Sequence, residues 1–360
     1  MHRENVKLYM SLACMSKVLV ICFYTRTRSS STFPAKQKLP PDSIRNLIAA
    51  DMTAVDALIR RRLDSDVALI RTIAEYIIGA GGKRLRPALV LLAAGATGYS
   101  GTFHHELAAV VEFIHTATLL HDDVVDESEL RRGRRTANAQ FGNAASVLVG
   151  DFLYSRAFQM MVSVRSMRVM EVLANATNTI AEGEVLQLLN AHNVAIGERD
   201  YLDVIRRKTA KLFEAAAQLG AILGGAPQPV EQGLARYGLH LGTAFQLIDD
   251  VLDYSGEALH TGKNLGDDLK EGKPTLPLIL VMQKGTPQQA ELVRNAIENG
   301  GREDFEPILE AMRACGAIAY ARDKAQCEAR LACEALSPLS HSKYGDSLLE
   351  LSRFAVERDY

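Results

Sequence analysis

This 360-residue chain has no excess of charge of one sign, no closely paired cysteines, no sustained period-two alternation and no Pro- or Ser-rich stretch within residues 41–360. Each absence closes off a class of protein. A formal net charge of −2 gives no field suited to nucleic acid, so a polyanionic partner has to be met by local basic groups. The five cysteines, Cys14, Cys22, Cys315, Cys327 and Cys333, form no CxxC and have no histidine companions at zinc spacing, which reads as reduced thiols in a reducing compartment. Without period-two runs there is no sheet to build, and without a linker-like stretch there is no interdomain boundary.

What is present is helical. Apolar residues make up 48% of the chain, enough for a substantial core. From about Pro41 they recur at helical period between short breakers such as Gly79–Gly82, Gly98–Gly101, Arg132-Gly133, Gly224-Gly225, Gly262–Gly266, Gly272–Pro277 and Gly300-Gly301. This predicts an all-α protein, one large helical bundle around a deep central cavity, over residues 41–360. Residues 1–40 differ: Arg3, Lys7, Lys17, Arg26, Arg28, Lys36 and Lys38 face a single acid, Glu4, and Ser29-Ser30-Ser31-Thr32 follows. That composition fits a mitochondrial transit peptide better than a secretory signal. Val18–Tyr24, interrupted upstream by Lys17, is too short to span a bilayer. A short signal anchor or a disordered extension is the alternative.

Two carboxylate clusters carry the chemistry. Asp122-Asp123-Val124-Val125-Asp126 and Asp249-Asp250-Val251-Leu252-Asp253 share the pattern Asp-Asp-x-x-Asp and lie 127 positions apart. Each ends a long helical run, so its first and last Asp share one face. Carboxylates there meet the unfavourable end of the helix dipole and repel one another, which is tolerable chiefly around bound cations. Oxygen donors without His or Cys favour a hard ion such as Mg2+. A solvated acidic turn is the bland reading of one cluster; a matching second copy weakens it.

Basic groups flank these clusters. Gly81-Gly82-Lys83-Arg84-Leu85-Arg86-Pro87 opens a helical run, as a phosphate cradle or as a solvated basic turn. Arg131-Arg132-Gly133-Arg134-Arg135 follows closely on Asp126. His115, two turns before Asp122, projects from nearly the same face and reads equally as a core histidine. Lys208-Thr209, Gln246, Lys263 and Lys273 bracket the second cluster, where each alone would pass for a surface residue.

Across residues 45–360 the chain resembles the trans-type polyprenyl diphosphate synthases, the head-to-tail prenyltransferases. The resemblance rests on GGKRLRP at 81–87, HTATLLHDDVVD at 115–126, RRG at 131–133, KT at 208–209, FQLIDDVLDY at 245–254 and GKNLGDDLKEGKPTLP at 262–277. It implies the isoprenoid synthase fold, a homodimer or heteromer, and Mg2+-dependent condensation of an allylic diphosphate with isopentenyl diphosphate. By the same resemblance Lys83, Arg86, His115 and Arg132 bind isopentenyl diphosphate. Asp122, Asp126 and Asp249 hold Mg2+, with Asp123, Asp250 and Asp253 in support. Arg131, Lys208, Thr209, Gln246, Lys263 and Lys273 contact the allylic diphosphate or the cation derived from it, Thr209 and Gln246 through their oxygen dipoles.

Members of this family grow their product down a tunnel beneath the first cluster, where bulky side chains block it. Here Ala117 and Thr118 are small, and Ala117 sits roughly 7.5 Å below the metal site. The resemblance therefore implies a long product, about eight to ten isoprene units as in octaprenyl, solanesyl or decaprenyl diphosphate, the size of a ubiquinone side chain. Peripheral membrane association would help release it. A geranylgeranyl-length product and a partner-dependent subunit remain the alternatives. A terpene cyclase is disfavoured because DDVLD and GGKRLRP are both kept. A di-iron bundle would need Glu-x-x-His pairs, which neither cluster has nearby.

Overall fold

In the computed structural model, residues 40–79, 81–131, 133–254, 266–301 and 304–357 are described. The expected leader, Arg132 and Lys263 lie outside them. Residues Ala35–Tyr360 form one compact unit. Its helices are α1 (Asp42–Leu47), α2 (Ala49–Arg62), α3 (Ala68–Gly79), α4 (Leu85–Ala96), α5 (Phe103–Val125), α6 (Ala137–Phe141), α7 (Asn143–Ser163), α8 (Met167–Asn190) and α9 (Glu198–Ile205). They continue with α10 (Lys211–Leu223), α11 (Gln228–Tyr254), α12 (Asp267–Lys270), α13 (Leu276–Lys284), α14 (Pro287–Asn299), α15 (Phe305–Ala314), α16 (Ala317–Ala335) and α17 (Lys343–Val356). The fold is all-α, as the helical periodicity predicts.

The breakers fall between helices, and local chemistry starts several of them. Ser166 caps α8 by accepting from the Val169 amide, and Thr286 with Gln289 makes a capping box for α14, whose first residue is Pro287. Helix α4 is apolar almost all round, with Leu85 and Pro87–Ala94 buried, as befits a helix enclosed by others. It packs on α5 and α10, while α11 packs on α10 and α16. Side chains such as Leu89, Leu92, Phe113, Leu153, Leu219 and Tyr237 fill this central core. Among the described residues no helix is long and apolar enough to cross a membrane.

Two local departures from plain helix matter. Leu130–Arg131 (β1) and Arg134–Arg135 (β2) pair as a minimal antiparallel hairpin, which three arginines and one leucine could not announce by alternation. Between α9 and α10, Arg206–Ala210 forms a π-helical turn. Such a turn inserts an extra residue and usually marks a functional position; this one carries Lys208-Thr209.

Candidate active site

A cavity of about 380 Å3 lies among α4, α5, α8, α9, the π turn, α10 and α11. Asp122 and Asp126 reach it from the end of α5, where Asp126 is the C-cap residue. Asp249, Asp250 and Asp253 reach it from the last turns of α11. Lys83, Arg86, His115, Thr118, Arg131, Lys208, Thr209, Gln246 and Lys273 also line it. Apolar wall is supplied by Leu119, Ile180, Val204, Leu212, Phe245 and Leu252, and further polar lining by Glu112, Glu184, Gln187 and Asn190.

Cations already sit against the carboxylates. Lys273 Nζ lies 2.9 Å from Asp126 Oδ2 and also pairs with Glu271. Lys208 Nζ lies 3.6 Å from Asp122 Oδ2 and 2.5 Å from Glu184 Oε2. Burial disfavours the charge on Lys273, but Asp126, Glu271 and Asp268 outweigh it and hold the lysine protonated. The carboxylates carry the opposite stress. Burial and the Asp122 charge push Glu184 up to about 7. Burial, with the Asp268 charge, pushes Asp250 up to about 8. Burial is the main cause of both shifts and neighbouring carboxylates add to it; the all-oxygen donor set of the clusters fits a hard divalent cation.

The middle aspartates play a different part from their neighbours. Asp123 is 2% exposed and is not on the cavity wall. Its Oδ1 accepts from Arg131 Nε at 2.9 Å and Nη2 at 2.7 Å. Arg131, expected at the allylic diphosphate, is thus engaged in pinning the end of α5, because a desolvated carboxylate needs a partner. Asp250 is held by Tyr201, whose hydroxyl donates at 2.6 Å, and by Gln246 Nε2 at 2.7 Å. Thr209 in turn donates to Gln246 Oε1 at 3.0 Å. The chain Thr209–Gln246–Asp250–Tyr201 therefore fixes the Gln246 amide so that its carbonyl keeps a second lone pair.

Basic groups are backed by rings: Lys83 Nζ lies 5.7 Å from the Phe245 centroid, and the Arg86 guanidinium 4.5 Å from that of Phe213. Thr118 lines the cavity, whereas Ala117 has no exposure and belongs to the core beneath. Sequence reading missed Glu184, Glu271, Asp268 and Tyr201. Asp268 and Glu271 lie within the quoted 262–277 segment, but Glu184 and Tyr201 sit in helical runs with no local motif.

Two glycines let helices close on the π turn. A Cβ at Gly183 of α8 would come within 2.6 Å of the Lys208 backbone nitrogen, and one at Gly242 of α11 within 2.6 Å of Ala210 Cα. We expect Gly183→Ala to displace Lys208 and lower kcat/KM by about 10- to 100-fold. Gly79→Ala, where nothing lies within 4 Å of the new methyl, serves as the neutral control in the same assay.

A helical bundle with paired acidic clusters and lysines around one cavity defines a class, and the family follows from comparison. The chain belongs to the polyprenyl synthetase family, whose profile matches residues 67–313. It is 56% identical over 319 residues to the octaprenyl diphosphate synthase of Escherichia coli, covering 88% of this chain and 99% of that enzyme. It is 46% identical over 312 residues to an all-trans-nonaprenyl-diphosphate synthase (geranyl-diphosphate specific) of Rhodobacter capsulatus, covering 86% and 96%. Among solved structures, a Caulobacter crescentus polyprenyl synthase complexed with calcium and isoprenyl diphosphate superposes with TM-score 0.86 at 46% identity, covering 90% of this chain and 100% of that one.

Proposed function

We propose that this chain is a trans-prenyltransferase that joins a farnesyl or geranylgeranyl diphosphate to successive isopentenyl diphosphates, making an all-trans polyprenyl diphosphate of about eight to ten units. The observation that carries this reading is the convergence of the α5 and α11 carboxylates with Lys208 and Lys273 on one cavity that also has apolar wall from Leu119, Ile180, Val204, Leu212 and Leu252. The octaprenyl and nonaprenyl activities of the two relatives support its length.

Asp122, Asp126 and Asp249, backed by Asp253, would hold Mg2+, which when bound neutralises diphosphate charge as a Lewis acid. Lys208 and Lys273 add fixed positive charge where the allylic diphosphate leaves with the electron pair of its C–O bond. Lys83, Arg86 and His115 orient isopentenyl diphosphate, with Phe245 and Phe213 holding the first two in place. Its double bond supplies the electrons of the new C–C bond. The Thr209 and Gln246 oxygen dipoles stabilise the allylic cation, and Leu119, Ile180, Leu212 and Leu252 keep water from it. Proton loss to the departed diphosphate restores a double bond.

Chain length tests this assignment on the cavity wall. Thr118→Phe fills space beside the first cluster and shortens the product by one or more isoprene units. Ala117→Phe, being placed in the packed core, shortens it too and also lowers the melting temperature. An unchanged product distribution from both variants on reversed-phase chromatography contradicts the reading.

The proposal extends to assembly and place. Seven of the twelve exposed large apolar side chains among the described residues lie on α7 and α8, including Leu148, Val162, Leu188 and Leu189, a face suited to a homodimer. A product of this length favours peripheral membrane association and use as a ubiquinone side-chain precursor. The basic, acid-poor start of the chain supports mitochondrial import, which microscopy of a C-terminal fluorescent fusion tests.

A further inference from the structure

Away from the cavity, Asp51 in the first turn of α2 meets two adjacent histidines in the first turn of α5. Asp51 Oδ1 lies 2.9 Å from His105 Nε2 and 3.4 Å from His104 Nε2. One ligand atom from each of the three residues lies within 4.8 Å of the others. A tetrahedral zinc ion with bonds near 2.0–2.1 Å spaces its donors about 3.4 Å apart; the His104 contact already has that spacing, and the hydrogen-bonded His105 contact opens by about half an ångström to admit the ion. Two imidazoles and one carboxylate differ in kind from the all-oxygen catalytic clusters and select a softer ion than Mg2+.

The surroundings favour ligation. Neutral imidazole is the form that binds metal, and both rings stand at the start of α5 within reach of one carboxylate. The three side chains are partly buried, with relative exposures of 36% for Asp51, 14% for His104 and 20% for His105. That leaves an approach for an ion and room for water as a further ligand.

We propose that Asp51, His104 and His105 form a transition-metal site of the zinc class that ties α2 to the start of α5. Seventeen residues separate His105 from Asp122 along α5, roughly 25 Å, so the ion takes no part in prenyl transfer. Its role is to staple the helix that carries the first acidic cluster. Binding to the folded state alone raises the melting temperature.

The test uses the purified full-length chain with Mg2+ in large excess, which keeps the acidic clusters occupied by a hard ion. Co2+ titration is expected to give the intense visible bands of a four-coordinate, nitrogen-ligated ion at one per chain, and Zn2+ to displace them. Asp51→Asn and His105→Ala each weaken Zn2+ affinity by about 100-fold or more and abolish the Zn2+-induced rise in melting temperature, while Mg2+-dependent prenyl transfer persists and shows that both variants are folded. Absence of the bands from the wild-type protein overturns the proposal. So does equal Zn2+ affinity in wild type and in either folded variant. Should His105→Ala fail to fold, the near-isosteric Asp51→Asn decides.

Discussion

Asp122→Ala lowers kcat/KM by about 1,000-fold or more, the equivalent of about 4 kcal/mol of transition-state stabilisation, while the melting temperature holds or rises. Both halves follow from the same electrostatics. Asp122 shares its surroundings with Asp126 and Glu184, and its charge helps to push Glu184 up to about 7. Removing it relieves repulsion that the folded chain otherwise bears. The lost carboxylate is one of the few positioned to hold a cation against a diphosphate, so activity falls although the fold gains. Steady-state kinetics and a thermal melt on one preparation check the pair; near-normal Mg2+-dependent turnover contradicts it.

Arg131→Met destabilises the protein by about 3–5 kcal/mol, because it strands the Asp123 carboxylate in a site with 2% exposure. Burial already raises the Asp123 pKa, the nearby Arg131 charge being what restrains it. Adding Asp123→Asn to Arg131→Met removes the stranded charge and recovers most of the lost stability. Denaturant unfolding of the two single variants and the double variant measures this directly. If Arg131 served only the allylic diphosphate contact that the resemblance implies, and not Asp123, Arg131→Met would raise KM and leave unfolding unchanged, and Asp123→Asn would rescue nothing.

The contrast between these two aspartates shows what a sequence can disclose about such a site. Period and breakers locate the helices, and the spacing of Asp122 and Asp126, or of Asp249 and Asp253, puts two carboxylates on one face. Both helices do end at the clusters, and both faces reach the cavity. Which way each middle aspartate turns depends on neighbours distant in the chain. Asp123 turns to Arg131 on a hairpin without an apolar pattern, and Asp250 to Tyr201 on α9. Helix period also cannot register one extra residue, so the π turn that carries Lys208-Thr209 was invisible although the dipeptide itself stood out. Glu184 joined the site only when α8 crossed α10 and the π turn, a close approach that Gly183 permits. Asp51 and the two histidines are separated by a helix, a loop and another helix, and no spacing rule brings them together.

Chain length links these observations to function. Thr118 stands on the wall while Ala117, Phe113 and Ile114 are fully buried beneath it. An aromatic ring at Thr118 would fill cavity space, whereas one at Ala117 would have to displace packed neighbours.

The measurement that tests the account most directly is product sizing. The purified chain is incubated with farnesyl diphosphate, labelled isopentenyl diphosphate and Mg2+, and the dephosphorylated products are separated by length. The account predicts self-sufficient, metal-dependent synthesis of all-trans products of about eight to ten units. Arrest at geranylgeranyl length, or no extension without a second protein, would contradict it.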